Sequence, residues 1–458
     1  MKIIILGAGQ VGASMADILA SEANDVTLVD INAGHLRMLQ DRLDIRTVVG
    51  NASFPMVLEQ AGAQDADLLL AVTNSDEINM VACTVAGSRF HVPTKIARIR
   101  STEYLQCKEM FGANAIPVDV LISPEQVITD HISRLIEYPS ALQVLGFAGG
   151  RIQLVSVRAF DGGPLVGHPL RELREHMPKV DTKVAAVYRG DEVVTPVAET
   201  VIQPGDEVFF VAARRHIGSV MGELRRLEKS VRRVMLAGGG NIGFRLAREL
   251  ERKQYNVKLI ERDRLRSEQI ADGLDSTVVL HGDAADEDML LEENIQTMDV
   301  FCAVTNNDEA NILSAMLAKR LGARRVMALI NRSVYVQLFE RGEIDLVISP
   351  RTVTVGGILA HIRRGDIVAV HSLRGGRAEA IEAIAHGDER SSRVVGSRVR
   401  DLPLPPGTGI GAILRGDQVL IAHKDTVIES DDHVILFVVD KKHIAEVERL
   451  FQVDVTFV

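Results

Sequence analysis

The chain has 458 residues and 46% hydrophobic content, enough for about three or four domains of ordinary size. Its net charge of −10, with no basic stripe interleaved with aromatics, argues against a nucleic-acid partner. No apolar run approaches the roughly 20 residues a membrane helix needs, and Met1-Lys2 leading straight into a strand is not a signal-peptide layout, so a cytosolic protein is expected.

The first element is the apolar run Ile3-Ile4-Ile5-Leu6, which breaks into Gly7-Ala8-Gly9-Gln10-Val11-Gly12. An amphipathic helix from Val11 to Ala23 follows, then a second strand ending in Asp30. Gly-x-Gly-x-x-Gly alone is a weak pattern, and this strand-before, helix-after context makes it a strong one. The glycines permit the sharp turn and let backbone approach a diphosphate, whose charge then sits on helix N-terminal N–H groups. The acid at the end of the second strand accepts hydrogen bonds from a ribose and repels a 2′-phosphate, which favours NAD over NADP. The bland alternative is a Rossmann-like unit whose pocket is unused.

Next come a polar helix (Gly34 to Arg42), a third strand (Arg46 to Val49) and the turn Gly50-Asn51-Ala52-Ser53. A fourth strand, Asp67 to Val72, runs into Thr73-Asn74-Ser75-Asp76-Glu77 and opens a helix. Thr73 and Asn74 lie where a central strand meets the crevice and are candidate dinucleotide contacts, whereas Asp76 and Glu77 read as helix caps. A fifth strand, Lys95 to Arg100, and a sixth, Ile116 to Ile122, precede Ser123-Pro124 and a long helix. Ile128, Ile132, Leu135 and Ile136 share one face of that helix, which is expected to pack on a neighbouring module because the sheet is already complete. Short strands at Gln153 to Arg158, Lys183 to Tyr188 and Val208 to Ala212, with turns at Arg189-Gly190-Asp191 and Pro204-Gly205-Asp206, make a small lobe. Ile217, Val220, Met221, Leu224 and Leu227 mark an amphipathic linker helix.

The whole arrangement then repeats. Val234-Met235-Leu236-Ala237 breaks into Gly238-Gly239-Gly240-Asn241-Ile242-Gly243, 231 residues beyond the first motif, and the second acid is Glu261. Gly282-Asp283-Ala284, Thr305-Asn306-Asn307-Asp308-Glu309 and Ser349-Pro350 recur in order, and Ile358-Leu359 with Ile362 repeat the apolar helix face. Strand-like segments at Gly411 to Leu414 and His433 to Val439 flank a second Arg-Gly-Asp turn. So long a repeat means two similar modules and a built-in pseudo-symmetry.

The expected fold is α/β: tandem Rossmann-like doubly wound parallel sheets, each followed by a small α+β C-terminal lobe. Expected boundaries are a first nucleotide domain at 1–123, a crossover helix at 124–150, a lobe at 151–215 and a linker helix at 216–231. A second nucleotide domain follows at 232–349, with a crossover helix at 350–367 and a lobe at 368–455. Cys83, Cys107 and Cys302 are far apart without metal-ligand spacing and read as free thiols, and the scattered histidines suggest no metal site. A dehydrogenase also needs a general acid or base near its nicotinamide, and the small lobes offer little of that kind; His168 and His176 have no obvious counterparts at matching positions in the second lobe. Two nucleotide units fit a sensor better than an enzyme. A soluble NAD-dependent oxidoreductase with duplicated Rossmann domains stays open as the alternative.

Both glycine motifs with their acids, Val72-Thr73-Asn74, Val304-Thr305-Asn306, Ala97-Arg98-Ile99-Arg100 and both Ser-Pro helix starts together resemble the bacterial Trk potassium-uptake regulators, built of tandem RCK (KTN) domains, over essentially residues 1–455. The resemblance implies a non-enzymatic cytoplasmic protein peripheral to the inner face of the membrane. It implies a homo-oligomer, a tetramer ring, beneath a membrane potassium transporter subunit of the TrkH/TrkG type. NAD/NADH would be its ligand, with ATP or ADP as regulatory nucleotides. By motif match, Gly7, Ala8, Gly9, Gln10, Val11, Gly12, Asp30, Asn51, Thr73, Asn74 and Arg98 would form the first site. Gly238, Gly239, Gly240, Asn241, Ile242, Gly243, Glu261, Asp283, Thr305 and Asn306 would form the second. Arg98 would supply a phosphate cation that the second copy replaces with Ile330, and Asn51 stands where the second copy has Asp283, so unequal nucleotide preferences are expected.

Overall fold

The computed structural model describes all residues except 23, 113–114, 191, 195, 225–229, 340–341, 363–365, 374–377 and 453–458. Ala23, Asp191 and Leu227 therefore lie outside the described residues, as do parts of the expected linker helix, second crossover and second lobe. The chain divides into two compact units, Met1–Val127 with Val353–Ile362, and Ile128–Thr352 with Arg363–Val458.

In the first unit, six parallel strands lie in the order Arg46–Val49, Asp25–Asp30, Lys2–Leu6, Leu68–Ala71, Thr94–Arg98, Val120–Ile122. The strand order reverses between Lys2–Leu6 and Leu68–Ala71, and a crevice opens there at the carboxyl ends. These central strands read as unbroken apolar runs because helices cover both faces, and Ile3, Ile4, Ile5, Leu6 and Leu68 to Ala71 are all at most 2% exposed. The second unit repeats the sheet in the order Val278–His281, Asn256–Glu261, Arg233–Ala237, Val300–Ala303, Arg325–Leu329, Leu346–Ile348. Cys83 and Cys302 are fully buried in these cores, and desolvation pushes both thiols up to about 12.

Two five-stranded antiparallel sheets complete the second unit, one from residues 141–213 and one from 367–438. They share a core in which Phe209 packs against Tyr188 and Phe437, with ring centroids 5.6 and 5.9 Å apart. The Pro204-Gly205-Asp206 turn has a packing role beyond reversing the chain. Asp206, 1% exposed, accepts from Arg189 Nε at 2.9 Å and Nη2 at 2.8 Å and from the Gln203 N–H. Asp432 does the same for Arg415 and the Glu429 N–H, so the two lobes carry the same buried staple.

Two expectations change. The segment 124–150 is not helical throughout: the helix is Pro124–Glu137, and Ala141–Phe147 is an edge strand of the first lobe sheet. Likewise the second helix is Pro350–Leu359 and the strand Ile367–Leu373 begins within the expected crossover. The apolar face of the first long helix packs in the second unit, where Arg325 donates to the Leu135 carbonyl at 3.3 Å and to the Ala141 carbonyl at 2.7 Å. Lys253 donates to Ser133 Oγ at 2.8 Å beside it. Residues 353–359 of the second helix, with the turn 360–362 after it, group with the first unit, and Val355, Ile358 and Leu359 are buried.

Candidate nucleotide-binding sites

Each site begins with the turn after the first strand. Gly7 and Gly238 have φ of +104° and +105°, a backbone that only glycine adopts without strain. A Cβ on Gly12 would lie 1.8 Å from the Gly7 carbonyl oxygen, and one on Gly243 1.9 Å from that of Gly238, so the third glycine lets helix and turn close on each other. The middle glycines face open space. Among the described residues, no side chain caps the helices that start after Gly9 and Gly240, and a Cβ on either glycine would meet nothing within 4 Å. Their first-turn N–H groups and the positive end of the helix dipole are thus presented to the crevice, which suits a diphosphate.

The acids are built into the same loops. Asp30 Oδ2 accepts from the Ala8 N–H at 2.6 Å and Oδ1 from the Asn32 N–H at 2.7 Å. Glu261 Oε2 accepts from the Gly239 N–H at 2.7 Å and Oε1 from the Asp263 N–H at 2.8 Å. Each carboxylate oxygen keeps a lone pair for a ribose hydroxyl. The extra methylene of Glu261 is accommodated at its neighbour: a Cβ on Gly239 would sit 2.2 Å from Ile270 Cδ1 and 2.8 Å from Glu261 Oε2, whereas the first copy carries Ala8 opposite the shorter Asp30. Ala with Asp and Gly with Glu are two solutions to one spacing.

Thr73 and Thr305 sit at the crevice but turn their hydroxyls inward. Thr73 Oγ1 donates to Asn79 Oδ1 at 2.7 Å and Thr305 Oγ1 to Asn311 Oδ1 at 2.6 Å, while their backbone crowds the first glycine. Asn79 and Asn311, both fully buried, were not singled out in the sequence; each also donates to the fifth strand, at Arg98 O and Leu329 O. Asn74 and Asn306 are exposed at the mouth. Asn51 and Asp283 fold back on their own turns, accepting from the Ser53 and Ala285 N–H groups.

Three sequence expectations need correction. Asp76 is not the helix cap: Ser75 is, accepting from the Ile78 N–H at 3.2 Å, and Asp76 instead receives the Arg100 and Ser101 N–H groups at 2.9 and 2.8 Å. Asp308 acts alike on Asn331 and Arg332. Arg98 is paired with Glu125 at 3.0 Å rather than held free for phosphate. Its counterpart is Leu329, not Ile330, because Ala97 and Ala328 occupy equivalent registers opposite Ala71 and Ala303. The second site has a cation that the sequence reading missed: Arg266 Nε donates to the Gly239 carbonyl at 3.2 Å, where the first copy has His35. The alternating Arg262, Arg264 and Arg266 were its only signal.

Two Rossmann-type units, each followed by an antiparallel lobe, define a tandem RCK-type chain of a fold shared with oxidoreductases. The TrkA-N domain family matches residues 3–124 and 234–350, and the TrkA-C domain family matches 154–225 and 389–452. The chain is 61% identical to the Trk system potassium uptake protein TrkA of Halomonas elongata, covering 100% of both chains, and 59% identical to that of Vibrio alginolyticus, covering 99% of both. The GsuK RCK domain superposes with a TM-score of 0.62 over 98% of this chain and 94% of its own, at 18% identity. The GsuK channel bound to NAD gives 0.61 over 98% and 79%, also at 18% identity. The chain belongs to the TrkA family of Trk-system potassium uptake proteins. Among the described residues, no helix is long and apolar enough to cross a membrane.

Proposed function

We propose that the chain is the nucleotide-sensing regulatory subunit of a Trk potassium uptake system. It binds NAD(H), ATP or ADP on its two glycine cradles and gates a membrane transporter subunit from the cytoplasmic face as a homo-oligomeric ring. The observation that carries this reading is the pair of complete, uncapped cradles, each with a carboxylate hydrogen-bonded to its own glycine loop, in a chain of the TrkA family. Gly7 to Gly12 with Asp30, and Gly238 to Gly243 with Glu261, hold diphosphate and ribose; Thr73 and Thr305 set the loops. When bound, the nucleotide supplies only its binding energy. It shifts the assembly by preferring one arrangement over another. The sites differ, since Arg266 adds a positive charge to the second alone while Arg98 is neutralised by Glu125 in the first.

Titrating NADH and ATP separately against Asp30→Ala and Glu261→Ala tests this. Each substitution should weaken one class of site and leave the other, with a different nucleotide order. Equal losses in both variants for both ligands would contradict two unequal sites.

A further inference from the structure

The structure assigns a second kind of ligand site to the Ile128–Thr352/Arg363–Val458 unit. We propose that its cavity of 970 Å³, bordered by Arg134 and Gln153, takes a small oxyanion carrying a hydroxyl donor: inorganic phosphate, or the phosphate and hydroxyls of a sugar phosphate.

Most charged groups lining this cavity are committed to one another. Glu137 accepts from Arg214 at 3.1 Å, Lys253 pairs with Glu249 at 3.0 Å, and Arg151 pairs with Asp417 at 2.5 Å. Glu382 accepts from the Ala148 N–H at 2.8 Å and bonds His433 Nδ1 at 2.7 Å. Among the described residues, two buried polar atoms of the lining are left over. Arg134 Nε is buried with no hydrogen-bond partner, and Gln153, 3% exposed, has an unpartnered Oε1. Tyr138, whose pKa is raised chiefly by desolvation and also by the nearby Glu137 charge, lies close to the Gln153 side chain.

Asp130, Glu249 and Glu137 lie within electrostatic reach of Arg134, but the last two already serve Lys253 and Arg214. Desolvation is the largest influence on Arg134 and acts against its charge, yet a guanidinium stays protonated. A buried guanidinium N–H without an acceptor calls for an oxygen such as an oxyanion's, and a buried carbonyl without a donor calls for an O–H or N–H. One ligand answers both only if it carries negative charge and a donor together. Sulfate at neutral pH has the charge alone; phosphate has both. Gly149 and Gly150 line the same space, and a Cβ on either would meet nothing within 4 Å, so there is room beyond a single ion. The helix Asn241–Arg252 starts at the second glycine cradle, and Glu249 and Lys253 at its other end border the cavity. Occupancy of either site therefore bears on the same rigid element.

Equilibrium dialysis of the full chain with radiolabelled phosphate at neutral pH, with sulfate and glycerol phosphate as competitors, tests the assignment. Arg134→Gln should weaken phosphate at least about tenfold, a loss of about 1.4 kcal/mol. Gln153→Met should bring phosphate down to the level of sulfate while leaving sulfate where it was. Glycerol phosphate competing more strongly than phosphate identifies an organic source, and the reverse an inorganic one. If Arg134→Gln does not fold by circular dichroism, the Gln153→Met arm decides. Phosphate binding unchanged in the folded variants, sulfate competing as well as phosphate in the natural chain, or no phosphate bound would overturn the assignment.

Discussion

Replacing Gly239 by Ala tests how the second cradle is built. The added methyl falls 2.2 Å from Ile270 Cδ1 and 2.8 Å from Glu261 Oε2. Ile270 ends in a flexible methyl and can yield, at an overpacking cost of about 1–3 kcal/mol. The carboxylate cannot yield without losing its 2.7 Å bond from the Gly239 N–H, a charged hydrogen bond contributing about 1.5–3 kcal/mol. Displacing Glu261 should therefore weaken nucleotide at the second site by about ten- to a hundredfold and leave the first site alone. Grafting the first copy's solution, Gly239→Ala with Glu261→Asp and Ile270→Leu, reproduces Ala8, Asp30 and Leu39 and should restore binding. Isothermal titration with NADH and ATP, resolving the two sites, reads both steps. Unchanged binding in Gly239→Ala, or no recovery in the triple variant, would refute the reasoning.

Other consequences follow from the same contacts. Gly243→Ala places its methyl 1.9 Å from a backbone oxygen, so the expected result is loss of the second cradle, read as one nucleotide fewer per chain by titration. Asn79→Ala strands the Thr73 N–H and the Arg98 carbonyl in the core and should cost about 2–4 kcal/mol in chemical denaturation. His131 and His371 are held down to about 3 and about 4, chiefly by desolvation. Because the unfolded chain takes up those protons first, stability should fall as pH drops from about 6.5 toward 4, by about 1 kcal/mol each at pH 5 after allowance for their partial exposure. Melting temperatures at pH 7.5 and 5 should converge in a His131→Gln/His371→Asn variant relative to the natural chain.

The glycine spacing and the acids were legible because they fall in one contiguous strand–turn–helix–strand segment, Lys2 to Asp30, and the repeat because that local pattern recurs in the same order. What depended on partners distant in sequence was not. Ala378–Ala385, with the sequence Ala-Glu-Ala-Ile-Glu-Ala-Ile-Ala, has the composition of a helix, yet it is a central strand with Glu379 and Glu382 at 0% and 2% exposed. Glu382 tolerates burial only because the Ala148 N–H and His433 come to it from other strands. Asp76 looked like a cap because acids favour first turns, and its true partners lie 24 and 25 residues away. Arg98 looked available because Glu125 is outside its strand. The repeat offset drops from 232 at the fourth strand to 231 at the fifth, which sets Leu329 and not Ile330 opposite the place of Arg98.

The measurement closest to the central claim is potassium flux through the reconstituted Trk transporter subunit with this chain added, alone and with NADH, ATP or ADP. The account predicts that nucleotide changes flux only when the chain is present, and that Asp30→Ala and Glu261→Ala each abolish a different part of that response. Flux indifferent to every nucleotide, or a response preserved when both acids are removed together, would contradict it.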